Sequence, residues 1–209
     1  MKKLLLPLAL LLCAAGCSQL PNIDLGDLTD ILVLPGPGEP VVIERPGLVH
    51  AVTRSDPYWE IAVPVDPGYT YRRAVVDFDV YVAGWHSNLF HGVCNLRSDR
   101  LLTAVMVRAD RSKTVIDRGD GTQDGARAPW QPGGTYHVRL IYDAAGQRID
   151  FQLSRDGRVV QSLNTRSSGR PLSAGRRLTF SFSQQRVADN AFFPVWGWRF
   201  SNLRIEVQP

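Results

Sequence analysis

Strict alternation of apolar and polar residues constrains this chain more than any other feature of its sequence. From Ala74 to Val82, residues Val76, Phe78, Val80 and Val82 point one way, and Asp77, Asp79 and Tyr81 point the other. Thr135 to Tyr142 repeats the pattern, with Tyr136, Val138, Leu140 and Tyr142 set against His137, Arg139 and Ile141. A period of two puts one set of side chains on each face of an extended strand, so each segment predicts a strand with one buried and one solvated face. Ile149, Phe151 and Leu153 continue the alternation, and Asp156-Gly157 is a two-residue hairpin signal ahead of Val159 and Val160. Phe180 and Phe182 alternate with Thr179, Ser181 and Ser183, and Leu203, Ile205 and Val207 line one side of the closing segment. No amphipathic helix pattern and no fixed repeat interrupts this series. Short strands separated by turns predict an all-β, antiparallel two-sheet β-sandwich.

The first residues carry a different signal. Lys2 and Lys3 precede an apolar run from Leu4 to Leu12, which is far shorter than the roughly 20 residues needed to span a bilayer. Ala14-Ala15-Gly16 follow, and then Cys17. A charged start, a short apolar core and small residues describe an export signal. Small residues leading directly into a cysteine resemble a bacterial lipobox, although Ala14 stands where leucine is usual. The resemblance implies cleavage before Cys17 and lipidation of that residue. An ordinary signal followed by an unrelated cysteine is the competing reading. Ser18, in place of the aspartate associated with inner-membrane retention, implies the outer membrane. Residues 1–16 are thus expected to be a signal peptide, and residues 17–46 a lipidated tether containing Pro35-Gly36-Pro37-Gly38-Glu39-Pro40. Within that tether, Ile31 to Leu34 could add an edge strand. The sandwich domain is expected over residues 47–209.

Composition removes several function classes. The formal charge of +4 includes Lys2 and Lys3, and Lys113 is the one other lysine. Arginines are interleaved with aspartates, and no basic run marks a nucleic-acid interface. Cys13 leaves with the signal and Cys17 is expected to be lipidated, so Cys94 stands alone, in an apolar stretch that suits a buried thiol.

The run from His137 to Asp143, then Gly146, Ile149 to Leu153 and Asp156-Gly157, resembles the central strands of concanavalin A-like lectin and glucanase jelly rolls. Val75 to Val82 and Phe200 to Ile205 fit the same pattern. This resemblance covers about Gly47 to Pro209 and implies a fold of two curved sheets, the concave one often holding a sugar chain. It does not by itself imply an activity.

Glycoside hydrolysis uses two carboxylates flanking the scissile bond. The nearest pair is Asp77 and Asp79, with no glutamate beside them, and pairing with Arg139 on a neighbouring strand explains them as well. His137, Arg139, Tyr81 and Gln152 are residue types found in polysaccharide lyases of this fold, but without the accompanying closing-strand motif. No catalytic residue is assigned. Sugar binding needs an aromatic platform and hydrogen-bonding groups. Asp77, Asp79, Tyr81, His137 and Arg139 are candidates for the hydrogen bonds. Trp85, with His86 and Asn88 in the same loop, is a candidate for stacking. Trp130 is a further candidate platform, and Trp198 shares the phase of Phe200 and is expected in the core. Asp117, Asp120 and Asp124 lie on a Gly-rich loop that either binds calcium or forms a surface hairpin. The histidines show no metal-ligand spacing, and no cofactor or metal is expected. The leading expectation is glycan binding by an envelope lipoprotein anchored through Cys17, without catalysis. The alternatives are a structural or partner-binding lipoprotein and a polysaccharide lyase or hydrolase.

Overall fold

A computed structural model describes residues 39–53, 59–66, 68–85, 91–98, 102–127, 129–172, 178–182 and 197–209. The signal segment, Cys17, Ile31 to Leu34 and the Pro/Gly run through Gly38 lie outside them, as do His86 and Asn88. The described residues form twelve strands and no helix: β1 Val41–Ala51, β2 Trp59–Val63, β3 Arg73–Val82, β4 His91–Arg97, β5 Thr103–Ala109, β6 Lys113–Asp117, β7 Gln123–Arg127, β8 Gly134–Asp143, β9 Arg148–Arg155, β10 Arg158–Arg166, β11 Leu178–Phe182 and β12 Arg199–Gln208.

The strands make two antiparallel six-stranded sheets. The first has the order β1-β12-β3-β8-β9-β10 and the second β2-β11-β4-β5-β6-β7. In the first sheet the alternation works as expected. Val76, Phe78, Val80 and Val82 of β3 and Tyr136, Val138, Leu140 and Tyr142 of β8 are buried, and the residues between them form the outer face. The sheets meet through aromatic rings. Phe182 of the second sheet stacks on Phe200 of the first at 4.1 Å between centroids and meets Phe78 edge-on at 5.1 Å. Trp198 is fully buried, as its phase predicts, and its indole N–H donates to Gly84 O at 2.8 Å.

The turn after β9 also follows from the sequence. Asp156 and Gly157 both take positive φ, 51° and 73°, as a tight hairpin with the strand's right-handed twist requires. At the far edge, Gln161 of β10 bridges the sheets: its side chain accepts from Thr114 Oγ1 at 2.7 Å and donates to Arg127 O at 2.7 Å.

Two differences from the sequence reading stand out. β1 begins at Val41 and pairs with β12 from Val41↔Val207 onward, so residues 41–46, expected in the tether, belong to an edge strand of the domain. Val41 and Ile43 are buried there, and that apolar contact recruits the segment. The second difference is in the second sheet. Strand β11 is buried on both faces, and β5 is buried at every position after Thr103, so Thr179 and Ser181 are not solvated as alternation suggests. Cys94 is buried in β4, and burial pushes its thiol pKa up from 9.0 to about 12.

Candidate functional site

The candidate residues of β3 and β8 lie on the outer face of the first sheet, paired by register. Asp77 faces Arg139, Asp79 faces His137, and Tyr81 faces Thr135. Their charges are largely spent on one another. His137 Nδ1 lies 2.9 Å from Asp79 Oδ1, and its Nε2 lies 3.5 Å from Asp77 Oδ1. Arg139 Nη1 lies 3.2 Å from the same Asp77 oxygen. Two contributors from β12 escaped the sequence reading. Asn202 donates from Nδ2 to Asp79 Oδ2 at 2.7 Å, and the Arg199 guanidinium sits over the Tyr81 ring at 5.1 Å. Asn202 has φ 53° and occupies the irregularity between Ser201 and Arg204, where β12 slips its register against β3. A local bulge re-aims a side chain that alternation would send elsewhere, so parity alone cannot find it.

Beside this ladder the face opens into a recess of about 460 Å³ lined by Asp79, Thr135, Tyr136, His137, Ser154, Asp156 and Gly157. The β9–β10 hairpin supplies Asp156 and Gly157, which is why a turn signal in the sequence becomes part of a site wall. Ser154 lies directly across from His137 in the β8–β9 register. Both ring nitrogens of His137, however, face carboxylates of β3, so the imidazole is not placed to take a proton from Ser154. The arrangement offers hydrogen-bond donors and acceptors without an activated nucleophile.

A second recess, of about 310 Å³, is lined by Trp85, Arg111, Trp130 and Pro132. Trp85 is half-buried and packs edge-on against Trp198 at 5.3 Å, so it is held in place rather than free to rotate. Trp130 is only 3% exposed, and its indole N–H donates to Thr114 Oγ1 at 2.8 Å. It therefore offers little of its ring face, and Trp85 is the better platform. Arg111 comes from the β5–β6 turn, a contribution the sequence reading missed. Tyr136 joins the two recesses. It lines the first, its ring lies 5.1 Å from that of Trp130 in the second, and its hydroxyl donates to Pro129 O at 2.8 Å. Of the predicted ligand-binding residues, the structure thus groups Asp77, Asp79, His137 and Arg139, sets Tyr81 beside them, and places Trp85 in the adjoining recess.

The aspartate loop is a hairpin between β6 and β7. Asp117 Oδ1 accepts from Gly119 N at 3.0 Å, Asp120 accepts from Thr122 N at 2.9 Å, and Asp124 pairs with Arg118 and Thr165. The Thr122 hydroxyl is the largest influence holding the Asp120 carboxyl below its usual range. Each carboxylate is engaged locally, and among the described residues no group of three His, Cys, Asp or Glu side chains converges as a metal site.

No protein-family model matches the chain, and no curated protein matches it in sequence. Solved structures do match it in fold. Lectin I from Ulex europaeus, in complex with the methyl glycoside of α-L-fucose, has a TM-score of 0.50 at 11% identity, covering 80% of this chain and 87% of that one. Basic winged bean lectin with Tn-antigen has a TM-score of 0.48 at 12% identity, covering 80% and 87%. A sialidase has a TM-score of 0.45 at 16% identity and covers 80% of this chain, which spans 15% of the sialidase. The described residues form a lectin-like two-sheet sandwich. Identities this low speak to the fold alone.

Proposed function

We propose that this protein is a glycan-binding lipoprotein of the cell envelope, anchored in the outer membrane through lipidated Cys17 and without catalytic activity. The observation that carries the reading is the pair of adjoining recesses. One has the half-buried Trp85 as a platform for the apolar face of a sugar ring. The other presents Asp79, Thr135, His137, Ser154 and Asp156 for hydroxyl groups. The lectin-like sandwich supports it as a fold on which a fucoside-bound lectin is built. The signal grammar of residues 1–17 supports export and anchoring. Three acyl chains on Cys17, as the lipobox resemblance implies, would anchor stably where a single chain binds only marginally.

The test uses the mature chain with Cys17→Ser, on an array of neutral and acidic glycans. Binding is expected, and Trp85→Ala should weaken it by about tenfold or more, the loss of one stacking contact. Failure to bind any envelope or matrix glycan would reject the reading. Metabolic labelling with a fatty acid should mark the wild-type chain and not the Cys17→Ser variant.

A further inference from the structure

The two recesses differ in charge. The one holding Asp79 has a second carboxylate, Asp156, in its wall. The one holding Trp85 has no carboxylate, and Arg111 is the charged group among its lining residues. Pro132 brings no polar side-chain atom, and the Trp130 indole N–H is committed to Thr114 Oγ1 at 2.8 Å. The aromatic walls are fixed by packing: Trp85 lies 5.3 Å from the Trp198 ring and Trp130 6.1 Å from the same ring.

The β5–β6 turn holds Arg111 at this wall. Asp110 N donates to Lys113 O at 3.0 Å and closes the turn. Asp110 Oδ1 accepts from Ser112 N at 2.6 Å, Ser112 Oγ at 2.9 Å and Lys113 N at 2.7 Å. The adjacent carboxylate is therefore engaged by the turn itself, and Arg111, which is exposed, forms no ion pair or side-chain hydrogen bond among the described residues. Arg155, beside the other recess, is different. Its Nε lies 3.6 Å from Asp156 Oδ2, and its Nη1 donates to Gln131 Oε1 at 3.0 Å.

A guanidinium without a partner, beside an indole in an open recess, selects its ligand by charge. Its planar fork pairs both oxygens of a carboxylate at once, while the indole face takes the apolar face of a sugar ring. The recess, at about 310 Å³, is at the small end of ligand sites and suits one sugar residue. The carboxylates of the neighbouring recess repel an anion and suit the hydroxyls of an uncharged residue. Tyr136 joins the two, so consecutive residues of one chain can reach both. We infer that the protein recognises acidic glycans, with a carboxylate-bearing sugar stacked on Trp85 and its carboxylate paired with Arg111, and with an uncharged sugar in the Asp79 recess. The inference rests on the glycan-binding reading for the sugar, and on Arg111 for the carboxylate.

Calorimetric titration of the mature Cys17→Ser chain tests it. One arm compares galacturonate and mannuronate trimers with the same trimers after reduction of each carboxyl to an alcohol. The other compares sialyllactose with lactose, so the arms separate a uronate chain from a terminal acidic sugar. In at least one arm the acidic sugar should bind about fivefold tighter than its uncharged counterpart, and the preference should shrink in high salt. Arg111→Gln should bring the acidic sugar down to the affinity of the uncharged one, which should itself be unchanged. Its Tm should match that of the parent, because Arg111 is exposed and makes no hydrogen bond within the described protein. Arg111→Lys should retain part of the preference, since it keeps the charge and loses the fork. Equal affinity for acidic and uncharged sugars in both arms overturns the inference, as does a preference that survives Arg111→Gln. Acidic binding that is unaffected by Trp85→Ala overturns it too, since the acidic sugar would then sit elsewhere. Binding of uncharged sugars, lost in Trp85→Ala and with no acidic preference, overturns the inference and leaves the glycan reading standing. No binding to any sugar overturns both.

Discussion

On the outer face of the first sheet, His137 sits between Asp77 and Asp79, while Arg139 and Asn202 hold those carboxylates from the sides. On the outer face of the second, Asn95 and Ser181 are more deeply buried and have no partners. The difference follows from solvent. A half-exposed ion-pair ladder needs little from the rest of the protein, because water screens what the partners do not satisfy. A buried amide has no such reserve, and its cost persists until a substitution removes it. The first face is stable as it stands; the second holds unmet hydrogen-bonding capacity.

The comparison can be broken first at what the two sheets share. Phe182→Ala removes the ring stacked on Phe200 and should destabilise by about 3–5 kcal/mol, measured by denaturant unfolding. A much smaller loss would mean that the sheets are not held by one core. Next, Asn95→Leu should stabilise the unliganded protein by about 1–3 kcal/mol, the desolvation penalty of the unpaired amide. An alkaline titration comes third. Cys94 has its folded pKa raised from 9.0 to about 12 by burial, so its neutral thiol favours the folded state. That contribution is complete below pH 9.0 and is lost as pH rises toward about 12. Stability should fall in that window by at most about 1.4 kcal/mol per pH unit from this group. Alkylation of Cys94 should correspondingly be slow in the native protein and fast in denaturant. The smallest effect belongs to the first face. Asp77→Asn should cost no more than about 1 kcal/mol, and the cost should shrink in high salt, because Arg139 and His137 are about half exposed. A salt-insensitive loss of several kcal/mol there would erase the contrast between the faces.

Strand parity made the first sheet legible. Where one face is wet and the other dry, a period of two is written into the residues, and β3, β8, β9 and the Asp156-Gly157 turn could be placed from it. The same parity put Asp77, Asp79, His137 and Arg139 on solvated faces, and register then brought them together. The second sheet was harder to read because β11 and most of β5 are buried on both sides, so no alternation separates their faces. Leu178 to Phe182 showed alternating polar and apolar types, but Thr179 and Ser181 are as buried as Phe180.

What the sequence alone determined is local: extended segments, their turns, the sandwich class, the phase of Trp198, and the export signal as an expectation. Only the tertiary structure decided that the β5–β6 turn brings Arg111 to Trp85, that a bulge turns Asn202 onto Asp79, and that Asn95 lies buried opposite Ser181. Those facts depend on which strands pair and how the sheets stack. Such contacts join residues far apart in the chain, and a pattern confined to neighbouring residues carries no record of them.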